Sequence, residues 1–417
     1  MIINNNPFLS DKFIAVWIKH FTAKKKRVSF KSVELLSFIK HTYLPLYINI
    51  GKTNTKGINY ILNNINSNEL KRKVLLIYDF PTYITHEINS KSTIKFLKSK
   101  QYPGFLINLE KFKSLNEYMS ANFSKSSRYK LNKYKKRLEN SFDIKYEVYY
   151  GSISKDHYLL LFEKFHSLLT KRFEDKQITN NNLDPIEWEF YKEVTFPLIL
   201  DKNASLFVIY DHNTPIAITL NFISKELLFD AITVFDIDYS KFHIGSITIM
   251  KQIEWCLENN FAYFDFSKGN FDYKKRWCTK EYEFEYHIIY DAKSIFASFL
   301  AYSLYNFYRF KNYLREKNIN TLFHKMKFLL HKKENKPVHQ KFKIQNYTTI
   351  IKDTSFQEIN IYDDEYIKLK LPVFEYLYLN NEEMKNIKVY KIIDNANEYL
   401  IKTKNETTEL KIIQYHL

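Results

Sequence analysis

At 417 residues, 45% hydrophobic and 17% aromatic, the chain is too long for one ordinary core and can bury several, which excludes global disorder. The formal charge of +17 admits nucleic acid, acidic glycans, phosphorylated cofactors and anionic membrane surfaces as partners, or reflects Lys as filler on solvated faces. Cys256 and Cys278 are the only cysteines, which excludes a disulfide framework and a Cys/His zinc cluster, so no metal is expected.

The N-terminus lacks the basic region and apolar core of a secretory signal. The longest weakly charged apolar stretch, 294–308, is shorter than the roughly 20 residues a membrane span needs. A cytoplasmic protein without a transmembrane segment is expected. In chain order, Phe13, Val16, Trp17 and His20 recur at helical spacing behind Ser10 as N-cap. Extended segments follow at 44–50, 73–80 and 104–109, and a largely helical stretch at 114–140 ends in a dense basic run with Leu131, Tyr134 and Leu138 as its apolar stripe. That run is either a solvated face or a phosphate-contacting patch, with Arg128 as its candidate.

The next stretch has the clearest element order. A strand at 144–150 is followed by helices at 157–173 and 185–200. Three strands at 206–210, 216–223 and 227–235, with short joins, form an antiparallel meander. A helix at 246–258, with Asn259 and Asn260 suited to a left-handed end, leads to a strand at 261–266 that packs parallel, and a final strand covers 282–290. Beyond these, 294–315 is helical, with aromatic residues on one side and basic residues at its end. It is either half of a hairpin packed on the preceding domain, with a second helix at 320–330, or an interfacial helix making peripheral membrane contact. The expected fold is α/β (α+β): an N-terminal lobe at 1–140, a second lobe at 141–290, a helical extension at 291–335 and a small β-rich unit at 341–417.

The segment from Phe264 to Trp277 puts Asp265 at a strand end, then a loop containing Lys268 and Gly269, then Tyr273, three cations and Trp277. Ligands of open α/β sheets sit at such strand ends. With Phe8-Leu9-Ser10-Asp11-Lys12-Phe13 and Trp17, the basic run around Arg128 and Leu138, and Asp236-Ile237-Asp238-Tyr239 leading to Gly245, this segment resembles the CelD-type acetyltransferase domain of the GNAT superfamily, related in fold to the FemAB-type aminoacyl transferases.

The resemblance covers roughly residues 8–290. It implies tandem GNAT-like lobes with mixed central sheets flanked by helices, an acyl thioester such as acetyl-CoA as donor, and an active cleft in the second lobe. The strands at 227–235 and 261–266 would splay to receive the pantetheine arm. Its pyrophosphate would lie on backbone N–H groups at Gly245 and Ser246, where a helix N-terminus favours an anion. Phe235, Tyr239, His243 and Gly269 complete the expected donor site. The usual glycine pair is not intact in Lys241-Phe242-His243-Ile244-Gly245-Ser246-Ile247, where only one glycine remains, and this keeps an aminoacyl-tRNA donor open.

Direct transfer to an amine or hydroxyl needs a base, donors for the developing oxyanion and a proton for the thiolate. Asp265 is the candidate base or acceptor-orienting group, or else a loop-capping aspartate. Tyr273 is the candidate proton donor or a packing residue, and Lys274 a charge neutraliser or a solvated lysine. Lys268 and Trp277 join Arg128 as the substrate or phosphate patch, with Trp277 alternatively a packing anchor. A sugar or glycan-precursor acceptor, in surface-polysaccharide synthesis, follows from the resemblance alone. The alternatives are a FemAB-like transferase using aminoacyl-tRNA and a non-enzymatic basic binding protein on the same scaffold.

Overall fold

The computed structural model describes residues 3–22, 25–63, 68–84, 94–176, 180–317, 340–346, 356–393, 398–403 and 407–414. The first half runs α1 (Asp11–Phe21), β1 (Arg27–Phe30), β2 (Val33–Lys40), β3 (Leu46–Asn49), β4 (Ile61–Leu62), β5 (Val74–Pro81), β6 (Ile94–Asn108), α2 (Leu115–Asn122) and α3 (Lys125–Ser141). Ser10 caps α1 by accepting from the Phe13 N–H at 3.2 Å, as its position before an apolar stripe predicts. The largely helical stretch expected over 114–140 is built of two helices, α2 and α3. Ser124 accepts from the Ser127 N–H and starts α3 afresh after an extended Phe123.

The second half runs β7 (Ile144–Tyr149), α4 (Lys155–Asp175), α5 (Pro185–Leu200), β8 (Ala204–Asp211), β9 (Thr214–Ile223), β10 (Leu227–Phe235), α6 (Ile244–Glu258), β11 (Tyr263–Lys268), α7 (Asp272–Trp277), β12 (Lys280–Asp291) and α8 (Ile295–Glu316). β7 to β10 form the expected antiparallel meander, and β11 returns parallel to β10. Asn260, at φ +59, supplies the left-handed residue just beyond α6.

One expectation is corrected. The two halves do not hold separate sheets but share one, in the order β1-β2-β3-β5-β12-β6-β11-β10-β9-β8-β7, with β4 on β2. β12, expected to close the second lobe, lies between β5 and β6 of the first. Its run Tyr286-His287-Ile288-Ile289-Tyr290 is buried on both faces, and such a strand requires a neighbour on each edge.

The last unit contains β13 (Gln340–Asn346), β14 (Phe356–Ile359), α9 (Lys370–Asn380), β15 (Lys388–Ile392), β16 (Glu398–Lys402) and β17 (Thr407–Gln414), a five-stranded antiparallel sheet with a helix. α9 docks it on the second half: Phe374 packs on Phe142 and Tyr239 at 4.8 and 4.7 Å, and Glu375 pairs with Lys241 at 2.5 Å. The helix expected at 320–330 lies outside the described residues.

Candidate active site

β10 and β11 pair only from Leu227↔Tyr263 to Phe229↔Asp265. β10 then follows β9 to Phe235 while β11 follows β6 to Lys268, so the two strands part. At the parting, α7 brings Lys274 across the end of β11. Its Nζ donates to the Phe266 and Lys268 carbonyls, each at 2.7 Å. Gly269, at φ +118, permits this: a Cβ there would stand 3.6 Å from that Nζ and 2.8 Å from the Phe271 ring. Burial pulls the Lys274 ammonium down to about 8, against the charges of Asp230 and Asp265.

Asp265 is wholly buried. Tyr282 Oη donates to its two oxygens at 2.7 and 2.6 Å, Tyr83 Oη at 3.0 Å and the Ser267 N–H at 2.7 Å. Desolvation raises its carboxyl to about 7, opposed by the Tyr282, Ser267 and Tyr83 bonds and the Lys274 charge. The Ser267 bond closes a turn in which Ser267 sits at φ +57, where the β11–β6 register shifts. Asp265 thus closes the turn at Ser267 and has the hydroxyls of Tyr83 and Tyr282 against its oxygens.

Tyr282 lies flat across β6 because residue 104 is glycine; a Cβ there would overlap its ring. Gly104→Ala should therefore displace Tyr282, release Asp265 and cost about 1–3 kcal/mol, read as a lowered urea midpoint. Asp265 also sets a pH dependence. Between its ordinary 3.8 and about 7 the folded chain keeps a proton the unfolded chain has lost. Stability falls as pH rises through that window, and Asp265→Asn should flatten the fall in urea midpoints measured at pH 5 and pH 8.

Three further charged groups complete the opening, none of them among the sequence candidates. Asp230 is half-buried on β10, one residue past the last paired position, and accepts from Thr233 Oγ1 at 2.8 Å. Desolvation raises its carboxyl, opposed by the Thr233 bond and by Lys274 and Lys56. Lys56 is lowered by burial and lies in the fields of Asp79, Asp230 and Glu187. Asp79, fully buried at φ +65, holds Lys268 Nζ at 2.6 Å and accepts from Gln101 Nε2 and Thr55 Oγ1 at 2.8 and 2.7 Å. A buried pair on left-handed backbone is a strained arrangement of the kind kept at functional sites. Their one sequence signal is a carboxylate inside an apolar strand, as in Leu76-Ile77-Tyr78-Asp79-Phe80 and Leu228-Phe229-Asp230-Ala231-Ile232. Lys56 carried no signal at all.

Tyr273 is 45% exposed, stacked on Phe271 at 6.0 Å, and its hydroxyl is pushed up by desolvation and by Asp230, so it stays protonated at neutral pH. Arg172 of α4 lies in the field of Tyr273 and stacks on Phe235 at 4.2 Å, which joins this end of the cleft to the start of α6. There Gly245 is required by Phe235, whose ring would stand 2.9 Å from a Cβ. His243, at φ +54, stacks on Tyr134 at 3.9 Å. Burial, Lys241 and Arg276 depress its imidazole. Its carbonyl takes the Ser246 and Ile247 N–H groups at 2.9 and 3.3 Å.

Three other candidates are held by contacts of their own. Tyr239 is buried and donates to Asp211 at 2.7 Å, while its neighbours Asp236 and Asp238 are clamped by Lys171 at 2.5 and 2.6 Å; this passage is a packed turn, not a donor-site wall. Trp277 is 2% exposed, packed on Phe123 with its carbonyl accepting from Tyr118 Oη, so it anchors the core rather than a phosphate. Arg128 is held by Ser120 on the first turn of α3. Among the described residues no three His, Cys, Asp or Glu side chains gather as metal ligands, and no helix is long and apolar enough to cross a membrane.

A parallel strand pair thus opens near the start of α6, with the ammonium group of Lys274 and the carboxyl group of Asp230 at the opening. Residues 125–275, from α3 into α7, match the family model described as the acetyltransferase (GNAT) domain, so this segment is similar to that domain. No curated protein matches the sequence. Solved structures that the chain matches include a conserved protein of unknown function from Bacteroides thetaiotaomicron (9% identity, 69% of this chain and 92% of that one, TM-score 0.43). Another is the C-terminal DUF2156 domain of a putative lysylphosphatidylglycerol synthetase from Agrobacterium fabrum (8%, 71% and 92%, TM-score 0.42). A third is FemX (11%, 68% and 92%, TM-score 0.46).

Proposed function

We propose that the chain transfers an acyl group, acetyl in the simplest case, from acyl-CoA to an amine or hydroxyl of a sugar or glycan precursor, as in CelD-type polysaccharide enzymes. The observation that carries this reading is the opening between β10 and β11, with Asp230, Lys274 and Tyr273 gathered at its mouth. Asp230, more accessible than Asp265, takes the proton of the attacking nitrogen or oxygen. Lys274 spends two of its three N–H groups on carbonyls and offers the third to the developing oxyanion. The carbon–sulfur bond breaks as the new carbon–nitrogen or carbon–oxygen bond forms. Tyr273 protonates the thiolate and regains its proton from solvent.

A second reading, transfer from aminoacyl-tRNA, draws on the start of α6. The His243 carbonyl already takes the Ser246 N–H, one of the two expected to receive a pyrophosphate, and α3 presents a long basic face. Calorimetric titration with acetyl-CoA and CoA at two salt concentrations separates the readings. Saturable binding that survives the higher salt, followed by thiol release with amino sugars or nucleotide-activated sugars, is expected. No binding by folded protein, with RNase-sensitive activity in a tRNA-charging mixture, would replace the first reading by the second.

A further inference from the structure

α8 is held in one orientation. Ala297, Ala301 and Tyr308 are buried against the sheet, where Tyr308 stacks on Tyr286 at 3.9 Å and shares a 2.7 Å hydrogen bond with Tyr78 Oη. At its far end Arg315 stacks on Tyr102 at 3.6 Å and donates to the Gln101 carbonyl. The opposite face is therefore a built surface, and most of its exposed side chains are apolar, Ile295 (89% exposed), Phe299 (72%), Tyr302, Phe307, Phe310 (59%) and Tyr313, interrupted by exposed Ser303 and Asn306. Twenty-two residues span about 33 Å. Six large apolar side chains exposed on one face of one helix exceed the singly scattered residues of an ordinary surface.

We propose that this face seats the protein on an anionic lipid bilayer, parallel to its plane. Two features select that occupant. The exposed side chains are chiefly aromatic, with tyrosine hydroxyls among the rings, which suits a boundary with one wet and one apolar side. They are also bordered by cations: Arg309 over the Tyr305 ring at 5.5 Å, Lys311, and Lys317 over Tyr313 at 5.9 Å. Within 309–317 three cations besides the sheet-packed Arg315 stand against the single acid Glu316. A second copy would bring another +17 charge to the contact, and residues 318–339 carry Lys325, Lys327, Lys332, Lys333 and Lys336 against Glu334. Both put like charge beside Arg309 and Lys311, whereas anionic headgroups complement them.

The test is co-sedimentation of the full chain with vesicles of phosphatidylcholine alone and of phosphatidylcholine with a third phosphatidylglycerol. Binding to the second, falling steeply with added salt, is expected. The double change Phe299→Glu, Phe310→Glu should lower partitioning about a hundredfold with an unchanged melting curve. Arg309→Glu with Lys311→Glu should remove the preference for phosphatidylglycerol. The proposal is overturned if the wild-type protein stays in solution with both vesicles. In that case, a dimer split by Phe299→Glu in light scattering would assign the face to a second copy. A lowered melting temperature in the double variant would instead assign it to this chain's own remaining residues.

Discussion

Asp230→Asn is expected to lower turnover about 10²- to 10⁴-fold while acyl-CoA binding is retained. The carboxyl sits one residue beyond the last paired position of β10 and β11, so the widening gap begins beside it. Thr233 occupies Oδ1, and no bond to Oδ2 is present among the described residues, which leaves an oxygen for an acceptor N–H or O–H. Its carboxyl is raised by desolvation, which strengthens it as a base while Lys274 and Lys56 keep the ionised form accessible. Asparagine preserves shape and the Thr233 bond but cannot take a proton. Removing one negative charge between two ammonium groups also cannot weaken attraction of an anionic donor, so the loss belongs in kcat rather than in donor affinity. Steady-state thiol release and calorimetry on the same preparation check both halves. A larger loss in Asp265→Asn, with folding intact, would transfer the proton-accepting role to the buried carboxylate.

The element order of the second half was legible because its elements announce themselves locally: short polar joins between apolar strands, and Asn260 after the main helix. What was not legible was non-local. β12 reads as the next strand of its own half, and only the sheet reveals that it pairs with β5 and β6, more than 170 residues earlier. The site divides the same way. Lys268, Gly269, Tyr273 and Lys274 could be picked out because they run from the end of β11 into α7 in one contiguous stretch. Lys56, Asp79 and Asp230 come from three other segments, and their meaning depends on burial beside that loop. The converse error is Tyr239. A tyrosine at a strand end has the same local pattern whether it lines a cleft or bonds a buried Asp211.

Lys274→Met should lower turnover by roughly 10²- to 10³-fold and cost about 2–4 kcal/mol of stability. Methionine fills similar space but leaves the Phe266 and Lys268 carbonyls without their donor where β11 has already lost β10. It also removes the cation that keeps Asp230 and Asp265 ionisable. The linkage gives a signature that simple loosening of the loop would lack. The folded ammonium titrates near 8 against 10.5 for the free side chain, so the folded chain loses this proton first. Wild-type stability should therefore gain from this group as pH rises from about 8 to 10.5, and activity should decline over the lower part of that range as the oxyanion donor becomes neutral. In Lys274→Met both features should vanish. In Lys274→Arg, whose guanidinium stays charged, the alkaline decline in rate should move to higher pH even if the rate itself is reduced by the poorer fit. An unchanged alkaline limb in Lys274→Arg would mean that another group controls it and that Lys274 serves β11 alone.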